Sequence, residues 1–204
     1  MKQIISELRE HLPFTCVGAL AGVVLMVLFR DLPGHVSHTV FYVAHPIHVV
    51  LSAMVTASMY EMHNGGRMKL WMLIAVGYVG AIGVATVSDS IIPYIGEILL
   101  DMPHRHAHIG FIEKWWLINP LAFLGIAIAY FRPSTKFPHS GHVLLSTAAS
   151  LFHVLMAIGA DATFMTYLVV FFFLLLSVWI PCCVSDIVFP LLFVGPEGTR
   201  DSGH

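Results

Sequence analysis

Apolar residues fill long, nearly uninterrupted runs, and polar residues collect in short breaks between them. A run of about 18 or more apolar residues is long enough to cross a bilayer as a helix. The pattern predicts six such spans, at 12–29, 39–60, 70–100, 115–131, 143–160 and 164–194. The breaks carry charges and turn formers, as in Arg30-Asp31-Leu32-Pro33 and Glu61-Met62-His63-Asn64-Gly65-Gly66-Arg67. Pro93 and Gly96 fall within the third run, and Pro181 and Pro190 within the sixth. A proline interrupts the helical hydrogen-bond ladder, so these two helices are expected to be broken. The expectation is an all-α, polytopic membrane protein.

One stretch is written twice. Val87-Ser88-Asp89-Ser90-Ile91-Ile92-Pro93 returns as Val184-Ser185-Asp186-Ile187-Val188-Phe189-Pro190. Upstream, His48 corresponds to His153, and Pro33-Gly34-His35-Val36-Ser37-His38 to Pro138-His139-Ser140-Gly141-His142. Earlier still, Pro13 and Gly18 correspond to Pro120 and Gly125. Matches in one order indicate an internal duplication, 1–102 and 103–204, within one compact membrane domain. With three spans in each copy, the second must enter the membrane upside down. A 3+3 inverted-topology repeat is the expected architecture, as in many secondary transporters.

Composition agrees: 57% of residues are hydrophobic and 11% charged, against about 25% charged in a typical soluble domain. The mean hydropathy is +0.82. A net charge of −2 without a basic stripe gives no reason to expect nucleic acid. Cys16, Cys182 and Cys183 lie in apolar runs and read as small buried hydrophobes rather than a disulfide framework. The segment 1–11 is polar and amphipathic and no small-residue cleavage site follows, so the first run is expected to be retained. Under six spans, Lys2, Arg9, Arg67, Lys69, Arg132, Lys136 and Arg200 share one side. Arg30, Arg105 and Lys114 share the other, which predicts an inner-membrane protein with both termini cytoplasmic. The expected partners are the lipid bilayer and a metal ion, and a homo-oligomer is compatible with the sequence.

Within the spans, ionisable residues are few: His45, His48, Asp89, His153 and Asp186, with Glu97 and Asp161 nearer the edges. A lone charge at mid-membrane costs about 3 kcal/mol or more, so such groups face a bundle interior and pair. Under the duplication, His48 and Asp89 map onto His153 and Asp186. Two carboxylates and two neutral imidazoles carry −2, which a divalent cation neutralises. The donor set suits Zn, Fe, Mn, Co or Ni better than Ca²⁺ or Cu⁺. His45, three residues before His48, is a further ligand or a support.

Further histidines are expected in loops at both membrane faces: His35, His38, His104, His106 and His108 outside, His139 and His142 inside. Such tracts bind metals or respond to pH. The leading expectation is a transporter or channel for a divalent transition-metal cation. One alternative is an intramembrane metalloenzyme, a hydrolase or oxidoreductase acting on a lipid-like substrate, although no His-Glu-x-x-His occurs. Another is a b-type haem electron carrier with axial His48 and His153, in which the aspartates have no role. The blandest is a pair of structural His–Asp ties. One geometric tension remains: a third span starting at Leu70 puts Asp89 about 9 Å past its middle. A single site then requires the breaks at Pro93 and Pro190 to draw the acids inward. Otherwise there are two symmetry-related sites.

Overall fold

The computed structural model describes residues 2–64, 69–159, 162–184 and 188–194, with backbone alone at 2–11, 14, 136–140 and 182–183. The described residues form helices and no strand: α1 (Lys2–Phe29), α2 (Gly34–His63), α3 (Leu70–Thr86), a π-helical turn (Val87–Ile91), α4 (Ile92–Leu99), α5 (Gly110–Glu113), α6 (Trp115–Phe131), α7 (Lys136–Ala157), α8 (Phe164–Cys183) and α9 (Phe189–Leu191). Among the described residues, three helices are long and apolar enough to cross a membrane: Gly34–His63, Leu70–Leu99 and Phe164–Pro181. Three shorter apolar helices accompany them, Thr15–Phe29, Trp115–Phe131 and Gly141–Ala157. Helix is the expected answer for such runs, because it satisfies every backbone N–H and C=O within the segment.

Large apolar side chains cover much of the outer surface. Val17, Leu20, Val24 and Leu28 of α1 and Trp115, Trp116, Phe123 and Leu124 of α6 are exposed. Histidine, serine, aspartate and glutamate side chains are buried in the interior beside its apolar clusters. The central element is α2, which packs most extensively on α7, then on α6 and α3. One apolar cluster joins α2, α3 and α6 through Ala53, Ala57, Leu73, Val76 and Ile126. Another joins α1, α7 and α8 through Ala19, Met26, Leu151, Val170 and Leu174. The two sequence halves therefore interlock, each giving its first helix to the other. Gly125 makes this possible on one side: a Cβ there would run into the backbone carbonyl of Val50 on α2.

Several boundaries differ from the expected ones. α2 begins at Gly34, so His35 and His38 stand in its first turns rather than in a loop. α7 begins at Lys136, which places His139 and His142 in a helix. Pro138 permits this because it lies in the first turn, where a missing N–H has no helical acceptor to lose. The third span is continuous over 30 residues, Leu70–Leu99, and the expected break is a widened turn. The Ile92 N–H reaches back five residues to the Val87 carbonyl. Pro93 offers no N–H to the carbonyl four residues earlier and its ring would crowd it, and one wide turn relieves both. In the sixth run, α8 ends at Cys183 and α9 resumes at Phe189. Asp186 and Asp161 lie outside the described residues.

Candidate metal centre

The π-helical turn holds Ser88, Asp89 and Ser90, all fully buried. A wide turn re-aims its side chains relative to a regular helix, and here it aims Asp89 between α2 and α7. One oxygen, Oδ2, accepts from Nδ1 of His45 at 2.9 Å and from Nδ1 of His48 at 2.6 Å. The other, Oδ1, accepts from the hydroxyls of Ser88 at 2.7 Å and Ser146 at 2.9 Å. Ser150 donates to the Ser88 carbonyl at 3.0 Å, tying α7 to the turn. Hydrogen bonds to the ionised form are what make a buried carboxylate tolerable.

His45 and His48 share one face of α2, with Pro46 between them. Phe41 stacks on His45 with ring centroids 5.3 Å apart and an interplanar angle of 11°. On the other side His45 fits against Gly110, where any Cβ would stand 2.5 Å from its Cδ2 and Nε2. With Nδ1 of each ring donating to Asp89, both Nε2 atoms are buried lone pairs without a hydrogen-bond partner. Such orphaned acceptors cost about 1–3 kcal/mol each. One ligand atom from each of His45, His48 and Asp89 lies within 4.8 Å of the others. Imidazole nitrogen with carboxylate oxygen is the donor set of the divalent transition metals.

A span of Leu70–Leu99 has its middle near residue 85, which puts Asp89 about 6 Å from it at 1.5 Å per residue. His153 is not among the triad. Its Nδ1 meets Oε1 of Glu97 at 2.7 Å, with both side chains fully buried. Glu97 lies eight residues beyond Asp89, roughly 12 Å along the helix. Phe41 packs against His153 at 5.4 Å between ring centroids. His142 is fully buried, with its ring 5.4 Å from that of His48. His38 contacts the rings of Tyr42 and His108. His35 and His104 are exposed, and the His139 side chain lies outside the described residues.

His106, His108 and Glu113 form a second group whose ligand atoms lie within 4.8 Å of one another. Their loop is pinned to the bundle: Ser90 donates to the His108 carbonyl at 3.0 Å, and the His106 N–H reaches Glu97 Oε2 at 3.3 Å. His108 is held at a φ of 29°, sparsely populated for a residue with a side chain. In the loop between α4 and α5, burial lowers the His108 pKa. The neighbouring His153 and His106 lower it further, while Glu113 opposes them.

Ser88, Ser146, Ser150 and Gly110 belong to the site although no ligand motif marks them in the sequence, and Glu97, near a span edge in the sequence, is fully buried. A signal existed for the serines: His142, Ser146, Ser150 and His153 recur at helical spacing on one face of α7. In comparisons with known proteins, the chain matches no family model, no curated protein and no solved structure.

Proposed function

We propose that this chain is an integral membrane transporter or channel for a divalent transition-metal cation, bound centrally by His45, His48 and Asp89. The observation that carries this reading is a buried polar seam between α2 and α7. Ser37, His45, His48 and Ser52 form a stripe along α2, each no more than 1% exposed. Facing them are His142, Ser146, Ser150 and His153 of α7, all fully buried. The helices run antiparallel, since Phe41 meets His153 while His48 meets His142. A column of hydroxyls and imidazoles is costly in an apolar bundle unless it is paired or conducts something polar.

The seam also supports the 3+3 inverted repeat. Ser37, Phe41, His45 and His48 correspond to His142, Ser146, Ser150 and His153, each 105 positions on, and all eight are buried. The interlocking obeys the same exchange: α1 packs on α7 and α8 as α6 packs on α2 and α3. Inverted repeats place their sites where the halves meet and move one half against the other. Asp89 occupies such a place, bonded by His45 and His48 of one half and by Ser146 of the other. Both termini in the cytoplasm remains the orientation that the loop cations favour.

Neither alternative has comparable support. An apolar cleft of about 630 Å³ lies beside the π-helical turn, lined by Val84, Val87, Ile92, Phe173, Leu176 and Phe189 among others. Among the described residues no ionisable side chain lines it, and Asp89 is directed to α2 and α7 instead, so a lipid-like substrate there would not meet the triad. For a haem, His48 and His153 bond to carboxylates about two helical turns apart rather than facing each other at one depth. The test is uptake of Mn²⁺, Fe²⁺, Co²⁺, Ni²⁺ and Zn²⁺ by proteoliposomes. Flux by the natural chain that is lost in Asp89→Asn supports the reading; equal flux by both, or none by either, ends it.

A further inference from the structure

Eight residues beyond Asp89 on the same helix, Glu97 carries a histidine of its own, and the triad does not use it. Glu97 and His153 are both fully buried, and the 2.7 Å bond from His153 Nδ1 to Glu97 Oε1 fixes the imidazole orientation. The second Glu97 oxygen is occupied by the His106 N–H. His153 Nε2 is left buried with no hydrogen-bond partner. A carboxylate on one ring nitrogen and an open lone pair on the other is how proteins prepare a metal-ligating imidazole. His108 lies next to this ring, its centroid 5.6 Å away and its plane at 77°. Behind His108 stand His106, at 4.5 Å between ring centroids, and Glu113, whose Oε2 is 3.6 Å from His108 Nδ1. The hydroxyl of Tyr42 donates to Glu113, holding that carboxylate on the loop side of α2.

We infer that His153, His108, His106 and Glu113 form a second, outer metal station, with Glu97 as the residue that positions His153. The station takes a divalent transition-metal cation, because its donors are imidazoles and a single carboxylate. It spans the boundary between loop and bundle: His106 is exposed, His108 half-buried and His153 fully buried. An ion taken up at the loop thereby reaches a buried ligand before it meets the triad, and Phe41 separates the stations by packing on both His45 and His153. This inference deepens the transport reading and rests on it for the direction of the path, although ion binding at the outer station is measurable alone.

The experiment is a Co²⁺ titration of the purified full chain in nanodiscs, counting bound ions by equilibrium dialysis and following the cobalt absorption bands. The natural chain is expected to bind two ions. Asp89→Asn retains one, and His153→Gln retains one with different bands, namely those missing from Asp89→Asn. His108→Gln, altered in the loop rather than in the bundle, repeats the His153→Gln result if the latter fails to fold. Glu97→Gln weakens only the outer ion, by about tenfold to a hundredfold, and Glu97→Asp recovers part of that loss. Two ions at undiminished affinity in both His153→Gln and His108→Gln overturn the outer station. A single ion lost only in Asp89→Asn overturns it as well and leaves the central site standing. A single ion lost only in His153→Gln and His108→Gln overturns the central reading alone. No bound ion overturns both.

Discussion

Gly110→Ala tests the site without removing any donor atom from it. The new Cβ would stand 2.5 Å from Cδ2 and Nε2 of His45, and ordinary contact begins at 3.4 Å, so about 0.9 Å must be found. The ring has little freedom to supply it. It is 1% exposed, stacked on Phe41, and bonded through Nδ1 to Asp89 at 2.9 Å. The push arrives on the Cδ2–Nε2 edge and is directed toward Nδ1, where a 0.9 Å advance would leave about 2.0 Å to Asp89, far inside hydrogen-bond distance. Either the imidazole swings off Asp89 or α5 lifts away from α2. Overpacking of this kind costs about 1–3 kcal/mol. Loss of one of three ligands is expected to weaken metal binding at least tenfold, equivalent to about 1.4 kcal/mol. Calorimetric Co²⁺ titration and thermal unfolding of the metal-free protein measure the two effects. Gly34→Ala is the control, since nothing lies within 4 Å of a Cβ at that position. Natural affinity and natural stability together in Gly110→Ala would refute the placement of His45 and its role as a ligand.

Asp89→Asn separates a metal site from a structural clamp. An amide oriented with oxygen toward His45 and His48 and nitrogen toward the rotatable hydroxyls of Ser88 and Ser146 keeps all four contacts. The metal-free variant should therefore unfold within about 2 kcal/mol of the natural chain while losing its metal-induced rise in stability; a collapse in stability with no metal effect in either protein would favour the clamp. Ser146→Ala removes one donor while Ser88 still covers Oδ1, so a loss of about 1 kcal/mol in thermal unfolding is expected, together with weaker metal binding at the triad. Gly125→Ala places a Cβ against the Val50 backbone, which cannot rotate aside. It should cost about 1–3 kcal/mol in metal-free melts without changing the number of ions bound. For His108, whose pKa is lowered from 6.5, the folded state binds its proton less readily than the unfolded one. Its contribution to stability is complete above pH 6.5 and lost as pH falls through the lowered value. An imidazole NMR titration with a midpoint at or above 6.5 would contradict this.

The helical runs and the minority of ionisable residues within them were legible along the chain. Hydropathy is a local property, and a segment such as Leu70–Leu99 needs no partner to be recognised as long and apolar. The same holds for His45, His48 and Asp89 as residues that cannot face lipid, and the structure brings these three together. α2 and α7 start several residues earlier than expected, because His35, His38, His139 and His142 read as loop polarity, whereas a polar residue in a helix can face its interior, as His142 does against His48. What pairs with what was not legible. His153 joins Glu97 because α7 runs antiparallel to α2, a register set by Phe41 and the hydroxyls of α7 together. Asp89 reaches both histidines because Pro93 widens one turn rather than ending the helix. Composition and spacing determine which side chains must leave the lipid; only the packing of α2, α7 and the π-helical turn decides which of them meet, because each meeting depends on three separately placed backbones.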